Sequence, residues 1–155
     1  DRPPFEANMP ALARGPLAKR TLDREAVRRI MLSYAYEVLM SDKVLLAAFR
    51  GDLLCFVHVL LNALDMHERG FEPRILFEGA SVTLVAQLAD PAGDFHGLYA
   101  KAKAAGLIEG ACRACSAKLG GLGAVQAEGL TLLGEMNGHP GLGRYLGEGW
   151  TVRTF

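Results

Sequence analysis

Two cysteines three residues apart form the segment of this sequence best suited to chemistry. Cys112 follows a short apolar run and opens a short helical segment, and Cys115 lies three positions later. A thiol in the first turn of a helix lies near unpaired backbone N–H groups and the positive end of the helix dipole, which lower its pKa. Arg113 and Lys118 add positive charge nearby. We therefore predict a nucleophilic thiolate at Cys112 with a second thiol beside it.

The spacing of Cys112 and Cys115 is compatible with a redox dithiol, with half of a zinc site, or with coincidence. Residues three apart on a helix are neighbours, so a disulfide can form where the first turn frays. A zinc site needs four ligands, and the sequence contains no second cysteine pair. His139 can join only if the fold brings it over, and a fourth ligand is missing. We therefore predict no metal ligands and no cofactor from this chain alone.

Short apolar runs alternate with helical patterns from Lys43 to the C-terminus. This alternation predicts an α/β domain with a doubly wound, mostly parallel sheet of about five strands and helices on both faces. The predicted strands are 43–49, 74–78, 107–111, 130–133 and 150–155.

The carboxyl ends of these strands carry the polar residues of an otherwise apolar chain. Ligands of doubly wound sheets bind outside those ends, so we predict the site there. His139 is the predicted general acid or base, because of the four histidines its location in the loop after the fourth predicted strand suits that role best. The predicted catalytic residues are Cys112, Cys115 and His139, and the predicted binding residues are Arg50, Asp52, Glu78, Arg113 and Asn137.

Composition and charge exclude several classes of protein. Lys plus Arg equal Asp plus Glu in number, so the net charge attracts neither nucleic acid nor an anionic membrane. No apolar run reaches the ~18 residues of a membrane-spanning helix. An odd count of three cysteines argues against a secreted disulfide framework. The sequence therefore predicts a cytoplasmic protein, with Cys55 packed in a core or an interface.

The chain divides into three predicted parts. Residues 1–20 are predicted to be a flexible segment, 21–41 an amphipathic helix, and 42–155 the α/β domain. A helix predicted over 53–69 is apolar around most of its circumference. We expect it to be covered by the sheet on one side and by a second subunit on the other.

The cysteine segment, residues 110–120 (GACRACSAKLG), resembles that of the DsrE family, in which a strand ends in a cysteine followed by small residues, a basic residue and glycine. Residues 48–52 (AFRGD) and 149–155 (GWTVRTF) are also similar to members of this family. The resemblance implies a flavodoxin-like fold, a trimer or hexamer, and a cysteine that accepts sulfane sulfur as a persulfide. That cysteine matches Cys112, whereas Cys115 stands where the relay subunits of the family carry a small residue.

Three hypotheses follow. The first is a sulfur-handling protein, a sulfurtransferase or sulfur carrier, in which Cys112 takes up sulfane sulfur, Cys115 resolves or shares it, and a donor or acceptor protein docks at the site. The second is a dithiol redox or metal-binding module that uses the same pair. The third is a non-catalytic, oligomeric binding protein with passive thiols.

Overall fold

The computed structural model describes residues 23–39 and 42–155. The first described element is α1, Arg24–Leu39, which lies within the range 21–41 predicted for the N-terminal amphipathic helix. Its apolar side chains Ile30, Met31 and Leu32 are exposed. The chain divides into two compact units between residues 36 and 37. The segment 1–20, predicted to be flexible, lies outside the described residues.

The second unit is an α/β domain built on a sheet of five parallel strands, as predicted. The order across the sheet is β4-β3-β2-β1-β5, so the last strand lies beside the first. The strands are β1 Lys43–Ala48, β2 Glu72–Phe77, β3 Ile108–Cys112, β4 Leu132–Leu133 and β5 Thr151–Thr154.

Helices connect the strands, and most are short. After β2 the chain forms a 3₁₀ helix, Gly79–Leu84, which continues directly into a short α-helix. The α-helices after α1 are α2 Leu53–Glu68, α3 Val85–Ala89, α4 His96–Ala104, α5 Arg113–Lys118, α6 Leu122–Ala127 and α7 Leu142–Gly147. Within the described residues no helix is both long and apolar enough to cross a membrane.

Side chains alternate between the two faces of the sheet and fill two cores of unequal size. The larger core contains Leu46 and Phe77 from the strands and Phe56 from α2, whose ring stacks on Phe77. The smaller core contains Leu45 and Leu76, which pack with α7. Both faces are therefore covered, which explains why β1 is almost continuously apolar and why β2 is apolar over its second half, residues 75–77.

One extra residue in β3 sets the level at which that strand ends. Ile75 of β2 pairs with Ile108, but the next residue, Leu76, pairs with Gly110, so Glu109 forms a bulge. A Cβ on Gly110 would lie 2.4 Å from the carbonyl oxygen of Thr131, so only glycine fits there. Bulges of this kind re-aim side chains at the ends of strands. Because Phe77 then pairs with Ala111, Glu78 and Cys112 leave the sheet at the same level.

Helix α2 buries one side and exposes apolar residues on the other. Phe56, Val59 and Leu60 are buried, whereas Leu54 and Leu61 are exposed. Cys55 is also exposed, so it is not a core residue of this chain. Coverage of this face by a second subunit stays a prediction.

Candidate functional site

Four chemically active side chains converge at the carboxyl end of the sheet. Glu78 follows β2, Cys112 ends β3, Cys115 lies on α5, and His139 lies in the loop after β4. One ligand atom from each of the four lies within 4.8 Å of those of the other three. We call this group the Cys–His–Glu cluster. It joins the three predicted catalytic residues to one predicted binding residue.

Cys112 caps the helix that carries Cys115. The backbone N–H of Cys115 donates to Cys112 Sγ at 3.4 Å, and Ser116 Oγ donates to the Cys112 carbonyl oxygen at 2.7 Å. These contacts fix the first turn of α5 immediately after the strand. They place both thiols on the same side of the junction between strand and helix.

The loop that carries His139 is folded tightly against α5. Met136 and His139 exchange backbone hydrogen bonds of 2.8 and 2.9 Å, and Asn137 turns the chain in the left-handed conformation at φ 50°. The N–H of Ala114 donates to the Gly138 carbonyl oxygen at 2.9 Å. A Cβ on Gly138, whose φ is 89°, would approach Ala114 Cβ at 3.3 Å. Glycine thus allows the loop to bring His139 onto the thiols.

A polar network on the neighbouring face holds the start of this loop. Glu135 accepts a hydrogen bond from the N–H of Gly141 at 3.1 Å and pairs with Arg144 at 3.6 Å. Arg144 also donates to the hydroxyl of Tyr145, which in turn donates to Glu109 at 2.9 Å. Glu109 is the bulged residue of β3. The bulge therefore provides the carboxylate to which the loop is connected through Tyr145 and Arg144.

Both thiols face one nitrogen of His139. Nδ1 lies 3.2 Å from Cys112 Sγ and 3.8 Å from Cys115 Sγ. Nδ1 can accept a proton from a thiol only when the ring hydrogen is on Nε2, and it accepts from one thiol at a time. The arrangement is that of a base shared by two candidate nucleophiles.

The prediction of a lowered pKa at Cys112 is wrong. Cys112 is fully buried, and burial raises the pKa of its thiol to about 12. The hydrogen bond from the backbone N–H of Cys115 lowers the pKa of Cys112. The hydrogen bond with the Cys115 side chain and the negative charge of Glu78 both raise it. Desolvation of the thiolate therefore outweighs the effect of a helix only six residues long.

Cys115 is the accessible thiol of the pair. It is half-buried and lines a recess of about 210 Å³, which is formed by Ala114, Cys115, Lys118, Leu119 and His139. Lys118 is the cation beside this recess. Arg113 is exposed, and its side chain lies against Gly134 instead of the thiols.

Glu78 is a buried carboxyl group beside Cys112. Its side chain is 6 % exposed, and burial raises its pKa, although the Cys112 thiol and the charge of His139 act in the opposite direction. Its backbone N–H donates to Ser81 Oγ at 3.0 Å, and Ser81 Oγ donates to the Ala48 carbonyl oxygen at 2.7 Å. Ser81 thus links the backbone of Glu78, which follows β2, to Ala48 at the end of β1 and holds Glu78 in place.

Two predicted binding residues lie at the end of β1, outside the Cys–His–Glu cluster. Asp52 caps α2 by accepting the N–H of Cys55 at 2.8 Å, and this hydrogen bond is the main reason that the pKa of Asp52 is lowered. Arg50 is exposed and adds a smaller lowering effect on the same carboxyl group. Asn137 is exposed in the turn that leads to His139.

Comparison with protein-family models, curated proteins and solved structures finds no match. The resemblance to the DsrE family stays a prediction that rests on the cysteine segment. What the site can do must therefore be argued from its own geometry.

The burial difference between the two thiols predicts their order of alkylation. At pH 7.5 iodoacetamide should label Cys55 and Cys115, and it should label Cys112 at least about a hundredfold more slowly, because Cys112 is buried and stays protonated. Peptide mass spectrometry over time measures the three rates. In denaturant the rates should become equal. Labelling of Cys112 as fast as Cys55 in the folded protein would contradict the buried placement.

Proposed function

We propose that this protein handles sulfur by carrying sulfane sulfur as a cysteine persulfide at the Cys112–Cys115 pair. The observation that supports the proposal is the shared base, since His139 Nδ1 lies within 3.8 Å of both thiols. A thiol becomes a nucleophile when a neighbouring base removes its proton. The same function is implied by the resemblance of residues 110–120 to the DsrE family.

Cys115 is the thiol that fits the role of sulfur acceptor. It borders the recess together with His139 and Lys118, so a donor can reach it and an anionic sulfur there has a nearby cation. Cys112, which the sequence favoured, is fully buried with a raised pKa. A buried, protonated thiol is a poor nucleophile toward an external donor.

The uptake step balances without any further reactant. Cys115 gives its proton to His139 Nδ1, and the thiolate attacks the terminal sulfur of a donor persulfide. A new bond forms from Sγ to that sulfur, the S–S bond of the donor breaks, and the donor leaves as a thiolate. That thiolate takes the proton from His139. In the reverse direction an acceptor thiol gives its proton to His139, and the acceptor thiolate attacks the outer sulfur of the Cys115 persulfide. The bond between Cys115 Sγ and that sulfur breaks, and Cys115 recovers the proton from His139.

Cys112 determines how long the persulfide survives. As a thiolate it would attack Sγ of the Cys115 persulfide, expel hydrosulfide and leave a Cys112–Cys115 disulfide. The raised pKa of Cys112 keeps it protonated at neutral pH and slows this attack. Burial of Cys112 therefore favours transfer to a partner over release of sulfide.

The partners belong to the same proposal. The donor and the acceptor are proteins that dock at the carboxyl end of the sheet, where Cys115 is reachable.

The three free thiols suit a reducing compartment such as the cytoplasm. The exposed Leu54 and Leu61 of α2 supply an apolar contact for a homo-oligomer, for which the resemblance implies a trimer or hexamer.

Mass spectrometry after reaction of the reduced, metal-free protein with inorganic polysulfide tests the proposal. We expect wild type and Cys55→Ser to gain one sulfur atom within the Cys112–Cys115 segment, because Cys55 lies outside the cluster. Cys115→Ser should lose this gain. Cys112→Ser should keep it and release sulfide more slowly than wild type, since the attacking thiol is gone.

Each alternative has its own result in the same experiment. Sulfur that disappears in Cys112→Ser and persists in Cys115→Ser would contradict Cys115 as the acceptor. Rapid loss of two hydrogens, with no adduct passed to an acceptor thiol, would indicate a redox dithiol. No adduct on either thiol would reject sulfur handling. Circular dichroism of each variant establishes that it is folded.

A further inference from the structure

We propose that the Cys–His–Glu cluster is a binding site for a divalent thiophilic metal ion, with Zn²⁺ as the best fit. This inference does not depend on the sulfur chemistry. Its basis is the placement of two thiols, an imidazole and a carboxyl group from one chain with their ligand atoms within 4.8 Å of one another. In the described part of the chain this is the one such cluster.

The size of the cluster fits a tetrahedral zinc site after a small contraction. Zn²⁺ binds sulfur at ~2.3 Å, and nitrogen or carboxylate oxygen at ~2.0–2.2 Å, so ligand atoms around it lie roughly 3.3–3.8 Å apart. The Cys112 Sγ to His139 Nδ1 distance is already 3.2 Å and the Cys115 Sγ to Nδ1 distance is 3.8 Å. The widest separation in the cluster has to close by about 1 Å.

The donor set selects the class of metal. Two thiolates and an imidazole favour zinc and other thiophilic ions, whereas Mg²⁺ and Ca²⁺ require sets of oxygen ligands. The two cysteines are separated by two residues, which is the spacing of many zinc sites. The fold supplies His139 and Glu78 as the third and fourth ligands, so the prediction that a fourth ligand is missing is wrong.

The burial of Glu78 is an independent reason to place a cation here. Its side chain is 6 % exposed, and no Lys or Arg of the described residues forms an ion pair with it. A buried carboxylate is costly unless a cation or several hydrogen bonds compensate for it, and the backbone N–H of Ser81 supplies one hydrogen bond to the Glu78 side chain. A metal ion among the four side chains would supply that charge.

The surrounding contacts already hold the ligands in a binding arrangement. The N–H of Cys115 points at Cys112 Sγ, which is the type of hydrogen bond that stabilises a metal-bound thiolate. The bond from Ala114 N–H to the Gly138 carbonyl oxygen holds the His139 loop on α5. When the metal binds, both thiols lose their protons to solvent and no electrons are transferred. Metal and persulfide therefore exclude each other at Cys115.

Titration of the reduced, chelator-treated protein with Zn²⁺ against a chromophoric chelator tests the inference. We expect one Zn²⁺ per chain for wild type and for Cys55→Ser, whose thiol lies outside the cluster. Glu78→Gln should weaken binding at least about tenfold, and Cys112→Ser, Cys115→Ser and His139→Ala about a hundredfold or more. Co²⁺ should give the visible spectrum of a tetrahedral site together with thiolate-to-metal charge transfer.

Two outcomes would overturn the site. One is the absence of zinc binding at micromolar concentrations to folded, reduced protein. The other is binding that Glu78→Gln and His139→Ala leave unchanged, which would mean that the thiols alone capture the ion. Circular dichroism excludes unfolded variants, and the isosteric Glu78→Gln keeps the test valid if a cysteine variant does not fold. Because the titration uses no sulfur donor, its failure is separate from failure of sulfur uptake.

Discussion

His139→Gln is expected to slow persulfide formation on Cys115 by about a hundredfold at neutral pH. The reason is that Nδ1 is the base in contact with both thiols, at 3.2 and 3.8 Å. Reactions with polysulfide that are quenched at a series of times and analysed by mass spectrometry measure the rate of persulfide formation.

His67→Gln is the matched control for this substitution. His67 is exposed in the last turn of α2, outside the Cys–His–Glu cluster, so its replacement should leave the rate unchanged. An equal loss in both variants would indicate a general effect of removing a histidine. An unchanged rate in His139→Gln would show that the shared base takes no part in uptake.

Gly110→Ala is expected to lower the free energy of unfolding by about 4 kcal/mol. The added Cβ would lie 2.4 Å from the Thr131 carbonyl oxygen, and the backbone φ of 152° disfavours any side chain. To remove this steric overlap, β3 has to move away from the segment that leads into β4. Because Cys112 lies two residues further along β3, the variant should also disturb the thiol site.

Gly97→Ala provides the comparison for the Gly110 substitution. Gly97 lies within α4, where an added Cβ meets no atom within 4 Å. Alanine there should leave stability unchanged or raise it by up to about 1 kcal/mol, since it restricts the unfolded chain. Chemical denaturation of both variants measures the difference. A Gly110→Ala protein within about 1 kcal/mol of wild type would contradict the close approach of β3 to Thr131.

The parallel sheet was predictable because its strands follow simple hydrophobic patterns. Strands buried on both faces must be apolar throughout, and β1 shows this plainly in its sequence. The strand order was not predictable, since pairing between β1 and β5 joins residues more than a hundred positions apart. The bulge at Glu109 was also missed, because it depends on the neighbouring strand and not on a local pattern.

The residues of the site were predictable from their positions at strand ends. Which of these residues lie close together in space was not predictable. Cys112, Cys115, His139 and Glu78 were all expected at one edge of the sheet, and the structure brings these four together. Arg50 and Asp52 share the edge but follow β1, on the other side of β2. Only the order of β1, β2 and β3 separates the two groups, and no sequence pattern encodes that order.

The pKa of Cys112 shows how a correct position can give an incorrect chemistry. The sequence places the cysteine where a strand meets a helix, and the helix terminus alone would stabilise a thiolate. The dominant influence is burial, which the structure produces through the β3 register and the folded His139 loop. Accessibility therefore shifts the expected acceptor from Cys112 to Cys115, a residue that the sequence treated as secondary.

The most direct test of sulfur uptake at Cys115 compares the thiols within wild-type protein after reaction with one equivalent of polysulfide. Peptide mass spectrometry can separate Cys55, an exposed thiol outside the cluster, from the Cys112–Cys115 peptide. We expect the added sulfur to lie mainly on Cys115, because of the two accessible thiols only Cys115 has His139 as a neighbouring base. Sulfur found mainly on Cys55, with the Cys112–Cys115 peptide unchanged, would contradict this expectation.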